Sequence, residues 1–213
     1  MIGPIQSRLL WSHFIPSRRQ EGPNRLLVVL HGRGDSIEGF LFLPGVLNID
    51  TMAYLLLQAP DPSPPGYSWY DLPPDQAPGI IRSRKILFDL VAELEQTHDM
   101  QPDQIGFLGF SQGCLMCLDL VLRYPRRLGP VVGISGYVGL IEEFPTALSP
   151  VASTQKVLVT HGRQDGVLPF EQTESQVRMI QEMGVPLRWS PYMKDHTVDL
   201  EDEITEIRTF LQA

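Results

Sequence analysis

Cysteine is nearly absent. Cys114 and Cys117, in the order Cys-Leu-Met-Cys, are the only two among 213 residues. A disulfide framework needs more pairs, and a structural zinc site needs about four ligands. With no second cysteine pair and no closely spaced histidine pair to supply them, both thiols read as small core residues one helical turn apart. Positive charge is scarce as well: 17 Lys and Arg face 25 Asp and Glu, giving a net charge of -8 and a pI near 5.1. Such a field repels phosphate backbones and anionic lipid surfaces, so nucleic acid is excluded as an expected partner. Long apolar runs are missing too. Nothing approaches the roughly 18 residues needed to span a bilayer, and the start, MIGPIQSRLLWSH, has neither the basic beginning nor the apolar core of a signal peptide. The expectation is a cytoplasmic protein without stable membrane insertion.

What is present is an ordinary globular composition, 43% apolar, in a length that suits one domain spanning residues 1–213. Short apolar runs closed by turn residues lie at 26–30, 54–57, 105–108, 131–134 and 157–159, with a last strand expected at 187–192. Runs of this kind suit strands buried on both faces. Segments with helical spacing lie between and after them, at 80–98, 112–124, 171–183 and 200–211, the last with Leu200, Ile204, Ile207 and Leu211 on one stripe. The alternation implies an α/β fold, a mostly parallel central sheet with helices on both faces. Right-handed crossovers then put the C-terminal end of every parallel strand on one edge, where ligand sites of such sheets collect.

Residues 61–79 stand apart, with six prolines and with Tyr67, Trp69 and Tyr70 among them. The segment reads as too Pro-rich for a helix and too long for a simple connector, which points to a functional loop.

The strongest chemical signal follows the run at 105–108. Gly109-Phe110-Ser111-Gln112-Gly113 matches the nucleophile elbow G-x-S-x-G between a strand and a helix. A serine thrust out on so sharp a turn crowds its flanks, so glycines are needed two residues to either side. The helix start behind it offers unpaired N–H groups to a developing oxyanion. The competing reading has Ser111 merely capping that helix. Asp165, in His161-Gly162-Arg163-Gln164-Asp165 after the strand at 157–159, and His196, after the last strand, reach the same edge in the chain order Ser, Asp, His. Taken singly, Asp165 reads as a turn aspartate and His196 as a solvated loop residue. The remaining histidines are weaker bases by position: His13 precedes the expected sheet, His98 ends a helix, and His31 and His161 each follow a strand and precede glycine. The loop Leu30-His31-Gly32-Arg33-Gly34-Asp35-Ser36 occupies the place from which a second oxyanion donor comes, so the backbone N–H groups of Arg33 and Gln112 form the expected pair.

Assembled, these pieces resemble the phospholipase/carboxylesterase family of α/β-hydrolases, which includes carboxylesterases and acyl-protein thioesterases. The resemblance runs from about residue 26 to residue 211. It is carried by LHGRGDS at 30–36, SWYDL at 68–72, GI-x-x-S at 79–83, GFSQG at 109–113, SGY at 135–137 and HG-x-x-D-x-x-x-P at 161–169. It implies an α/β-hydrolase fold without a large lid domain, a triad of Ser111, His196 and Asp165, oxyanion donors at Arg33 and Gln112, and substrate contacts at Trp69, Leu72 and Val167. The implied activity is hydrolysis of carboxylic esters with small or short-to-medium acyl groups through an acyl-enzyme. Long-chain thioester or lysophospholipid substrates, and a silent binding module on the same fold, remain as alternatives. No metal or organic cofactor is implied, the partner is a small-molecule or acylated substrate, and either a monomer or a homodimer fits. One departure matters: Lys194-Asp195 stands where the family usually has Met-Gly before its histidine, and Asp195 could compete for the imidazole.

Overall fold

The computed structural model describes residues 4–19 and 25–213. Its strands are β1 (Ser12–Ile15), β2 (Arg25–Leu30), β3 (Met52–Leu57), β4 (Asp61–Ser63), β5 (Gly66–Ser68), β6 (Ile105–Phe110), β7 (Val131–Ile134), β8 (Val157–Gly162) and β9 (Leu187–Tyr192). Its helices are α1 (Leu43–Leu47), α2 (Gln76–His98), α3 (Gln112–Arg123), α4 (Phe144–Ala147), α5 (Phe170–Glu182) and α6 (Asp202–Gln212). Seven strands form one sheet in the order β1-β3-β2-β6-β7-β8-β9. All neighbours in it run parallel except β1, which pairs antiparallel with β3.

The apolar runs become two-sided strands because alternate side chains enter opposite faces. Leu26, Val28 and Leu30 of β2 join Leu87, Leu90 and Leu115 on one face of the sheet. Leu27 and Val29 join Leu108, Ile204 and Ile207 on the other. α3 is buried on every side from Gln112 to Leu122, which accounts for the all-round apolar sequence LMCLDLVL within it. Cys114 and Cys117 lie on α3, fully buried and unbonded. Burial pushes the Cys114 thiol up to about 12 and that of Cys117 well above its usual range.

Three expectations are corrected. His13 does not precede the sheet; it sits on edge strand β1 opposite Leu56, although its side chain is exposed. A strand of four residues carries too little alternation to be seen, and its place is set by pairing with β3. Residues 61–79 are not one loop. They open with the antiparallel hairpin β4–β5 and close with the first turn of α2, which accommodates Pro78 because the first N–H groups of a helix have no intrahelical acceptor. Leu200 is 56% exposed, outside α6, and Phe210 supplies the buried aromatic of that helix.

With the parallel strands in register, the segments following β2, β6, β8 and β9 emerge at a common edge. These segments carry Arg33, Ser111, Asp165 and His196.

Candidate active site

Ser111 has φ 54° and ψ -114°, backbone angles that cost a non-glycine residue about 1–3 kcal/mol and persist only when surroundings enforce them. Here the Ser111 N–H donates to the Ile134 carbonyl at 2.9 Å, and the Ser111 carbonyl accepts from the Leu115 N–H at 3.3 Å. A Cβ on Gly109 would overlap the Gly113 carbonyl, and one on Gly113 would overlap that of Leu30. Both flanking glycines are therefore required by close backbone approach. The Ser111 hydroxyl makes no capping bond to α3 and instead lies 3.0 Å from His196 Nε2.

His196 Nδ1 is 2.8 Å from Asp165 Oδ2. The other oxygen, Oδ1, accepts the N–H groups of Val167 at 2.9 Å and Leu168 at 2.8 Å. Burial pushes the Asp165 carboxyl up, but those two amides and the His196 ring outweigh it and leave it below the usual carboxylate range. An ionised carboxylate only accepts, so His196 Nδ1 carries the proton and Nε2 presents its lone pair to Ser111. Asp195 is exposed, whereas Lys194 on one side of it is buried and His196 on the other is half-buried. Side chains of neighbouring residues diverge here, and the acid that meets the imidazole is the distant Asp165.

His161 lies behind this pair, its Nε2–H donating to the Leu168 carbonyl at 2.9 Å and its ring against Phe170 and Trp189. Burial holds it below the usual histidine range, with the Leu168 carbonyl and Asp165 opposing. It is thus a neutral spacer that supports the Asp165 loop.

The loop after β2 comes close to the serine because Gly32 has no side chain: a Cβ there would lie 3.3 Å from that of Ser111. Its neighbour Gly34 has φ 76°, and its N–H donates to the Tyr67 carbonyl at 2.8 Å. Tyr67 N–H returns a bond to the Asp35 carbonyl at 2.9 Å, so the β4–β5 hairpin extends onto this loop. Among the described residues the backbone N–H groups of Arg33 and Gln112 have no acceptor. The loop is braced from within. His31 Nδ1–H donates to the Gly32 carbonyl at 2.7 Å, while its Nε2 accepts the Ala59 N–H at 3.1 Å.

Trp69 is a correction. Expected in the substrate groove, it is fully buried beneath it, because its indole N–H donates to the His31 carbonyl at 2.9 Å. Its backbone N–H donates to Gln112 Oε1 at 3.0 Å, and Gln112 Nε2 donates to the Tyr70 carbonyl at 2.8 Å. The Gln112 side chain thus fastens the aromatic segment to the elbow, a role that sequence reasoning missed. Its only signal was a polar amide at an otherwise apolar buried position.

A cleft of about 700 Å³ opens above Ser111 and His196, within the range of small-molecule sites. Leu72 and Val167 stand on it and are 53% and 64% exposed, so both expected contacts are available at the rim. Tyr70, Tyr137 and Val138 add apolar surface, and Gln76 accepts the Tyr137 hydroxyl at 2.7 Å. Among the described residues no three His, Cys, Asp or Glu side chains gather as a metal cage. No described helix is long and apolar enough to cross a membrane.

The profile of the phospholipase/carboxylesterase family matches residues 13–213. An acyl-protein thioesterase 1 of Schizosaccharomyces pombe is 33% identical over 156 residues, covering 67% of this chain and 69% of that protein. A probable carboxylesterase of Oryza sativa is 28% identical over 155 residues, covering 68% and 65%. Among solved structures, esterase PE8 superposes with a TM-score of 0.82 at 24% identity, over 95% of this chain and 98% of that one. That likeness carries the fold, and the profile match carries the family: the chain belongs to the phospholipase/carboxylesterase family and has the α/β-hydrolase fold.

Proposed function

We propose that this protein is a serine hydrolase of carboxylic esters with small or short-to-medium acyl groups, working through Ser111, His196 and Asp165. The observation that carries this reading is the pair of hydrogen bonds joining Ser111 Oγ to His196 Nε2 at 3.0 Å and His196 Nδ1 to Asp165 at 2.8 Å.

In the proposed reaction Ser111 Oγ attacks the ester carbonyl while its proton passes to His196 Nε2. The oxyanion of the tetrahedral intermediate accepts from the N–H groups of Arg33 and Gln112, each donor contributing roughly a hundred- to thousandfold in rate. As the intermediate collapses, the bond to the leaving oxygen breaks and Nε2 returns the proton to it. Water then attacks the acyl-enzyme with His196 again as base, releasing the carboxylate and restoring the serine. Asp165 keeps the imidazole in the productive tautomer throughout. The steps need no metal or organic cofactor.

Thioesters with longer acyl chains are the second reading, supported by the acyl-protein thioesterase name of the 33% identical relative. A panel of oxygen esters and thioesters of graded chain length separates the two: a peak at short-to-medium esters supports the first, and a sharp preference for long-chain thioesters overturns it. The triad itself is tested by intact-mass analysis after a fluorophosphonate probe, with one adduct expected on Ser111. Ser111→Ala should abolish the adduct and lower turnover on the order of a millionfold. A native protein that takes no adduct would instead be a binding module on a hydrolase fold.

A further inference from the structure

Lys194 and Glu203 form a buried ion pair that the reaction above does not use. Lys194 Nζ lies 2.6 Å from Glu203 Oε1 and 2.7 Å from Oε2, with side-chain exposures of 4% and 0%. Removing two charges from water is costly, and well-packed apolar residues often replace such pairs without loss. Its net contribution to stability is therefore a poor reason for its presence. The connections around it supply a better one.

An ammonium has three protons to donate. Two point to Glu203, and the third serves the Thr197 carbonyl at 2.7 Å. Residue 194 thereby reaches across to residue 197, with His196 between them. Glu203 Oε2 also accepts the Asp199 N–H at 2.8 Å, so the stretch from 194 to 199 is fixed to the first turn of α6 at several points. On its other side, the Lys194 carbonyl accepts the Gln164 N–H at 3.1 Å, one residue before Asp165. A Cβ on Gly162 would overlap the carbonyls of Lys194 and Asp195, so the two loops also meet through direct backbone contact.

We infer that the Lys194–Glu203 pair is a positioning device for the base, holding the His196 turn between α6 and the Asp165 loop so that Nε2 stays in line with Ser111. The inference rests on the proposed role of His196. Two features favour an ion pair here over an apolar contact. It satisfies backbone groups in part-buried contacts, the Thr197 carbonyl and the Asp199 N–H, for which methyl groups offer no hydrogen-bond partner. It is also directional, whereas apolar contact fixes a loop only as tightly as shapes interlock.

The test compares the parent protein with Glu203→Gln and with the double variant Lys194→Met/Glu203→Leu, which removes both charges together. Five quantities are read: thermal midpoint, kcat and KM on a p-nitrophenyl ester, the rate of fluorophosphonate labelling of Ser111, and the low-field proton resonance of the His196 Nδ1–H. The double variant is expected to melt within a few degrees of the parent. Its kcat should nevertheless fall about 10- to 100-fold, the range expected for a misplacement near 1 Å. KM should stay within about threefold, because neither substituted residue lines the cleft. Labelling should slow by the same factor as kcat, and the resonance should shift or broaden. A folded double variant with the parent's kcat and an unchanged resonance would overturn the proposal and leave the pair a folding device only. Should the double variant fail to fold, Glu203→Gln decides: it removes the charge and leaves one oxygen where two carboxylate oxygens served Lys194 and the Asp199 N–H, so the ion pair and one of these acceptors are lost together, and a folded protein with parental kcat and resonance would equally overturn the inference that the pair holds the base. Failure of the serine-hydrolase reading looks different, since the parent itself would then take no label.

Discussion

Asp165 and His196 are 31 positions apart in the chain and 2.8 Å apart in space, while Asp195, directly bonded to His196 in sequence, turns to solvent. Proximity along the backbone does not choose the acid; the edge of the sheet does. Asp165→Asn leaves the shape of the contact but removes the acceptor that fixes the tautomer, and about a 10⁴-fold loss of kcat is expected. Asp195→Asn should stay within about threefold, as for an exposed charge away from the reacting atoms. Steady-state kinetics on one ester measures both, and the reverse ranking would transfer the orienting role to Asp195.

The Gln112 side chain makes a second prediction. Its loss in Gln112→Ala strands the Trp69 N–H and the Tyr70 carbonyl, and each buried group left unsatisfied costs about 1–3 kcal/mol. A melting point lower by roughly 2–4 °C per kcal/mol is expected for a protein of this size. Turnover should fall with it even at temperatures where the variant is fully folded, because the same amide holds the start of α3 in place beside the proposed oxyanion. Calorimetry and kinetics on one sample check the pair of effects, and full activity in a destabilised variant would separate the brace from the chemistry.

Acid should destabilise the fold in two stages. Burial holds both His31 and His161 below the ordinary histidine value, with nearby carbonyls and carboxylates opposing it. Between their unfolded value of about 6.5 and their lower folded values, the unfolded chain binds more protons, so stability falls as pH falls through that window. Asp165 is likewise held below its ordinary value. Its contribution is present above the unfolded carboxylate value and is lost as pH drops through the lower folded value, so it acts in the same direction at more acidic pH. Melting points measured from pH 8 to pH 3 should decline first below about 6.5 and again below about 4. In His161→Gln the first decline should be shallower, and an unchanged slope would remove His161 from this account.

Much of this architecture is legible in the sequence itself. The central strands, the four long helices and the elbow depend on local patterning, and each emerged within a few residues of its expected bounds. The order of Ser111, Asp165 and His196 along an alternating α/β chain sufficed to suggest a shared edge. What escaped notice was set by distant partners. β1 is strand only because β3 lies beside it, and Trp69 is buried rather than presented to the cleft because the His31 carbonyl awaits its indole. Lys194-Asp195 reads as a departure in which Asp195 could compete for the imidazole; in the fold Asp195 turns to solvent and Lys194 meets Glu203, nine residues on, a partner that nothing in the local sequence announces. α2 begins at Gln76 despite Pro78, since proline obstructs a helix by withholding a proton that this position does not need.

Cys114 and Cys117 are enclosed on α3, directly behind the elbow that presents Ser111, with thiols that burial keeps protonated. Alkylation requires the thiolate and a route to it, and the native fold supplies neither. Uptake of a maleimide therefore acts as a clock for global opening. A thiol-directed reagent is therefore expected to modify these two cysteines only after the fold opens, unlike a reagent directed at Ser111, the proposed nucleophile, which lies at the cleft of the folded protein.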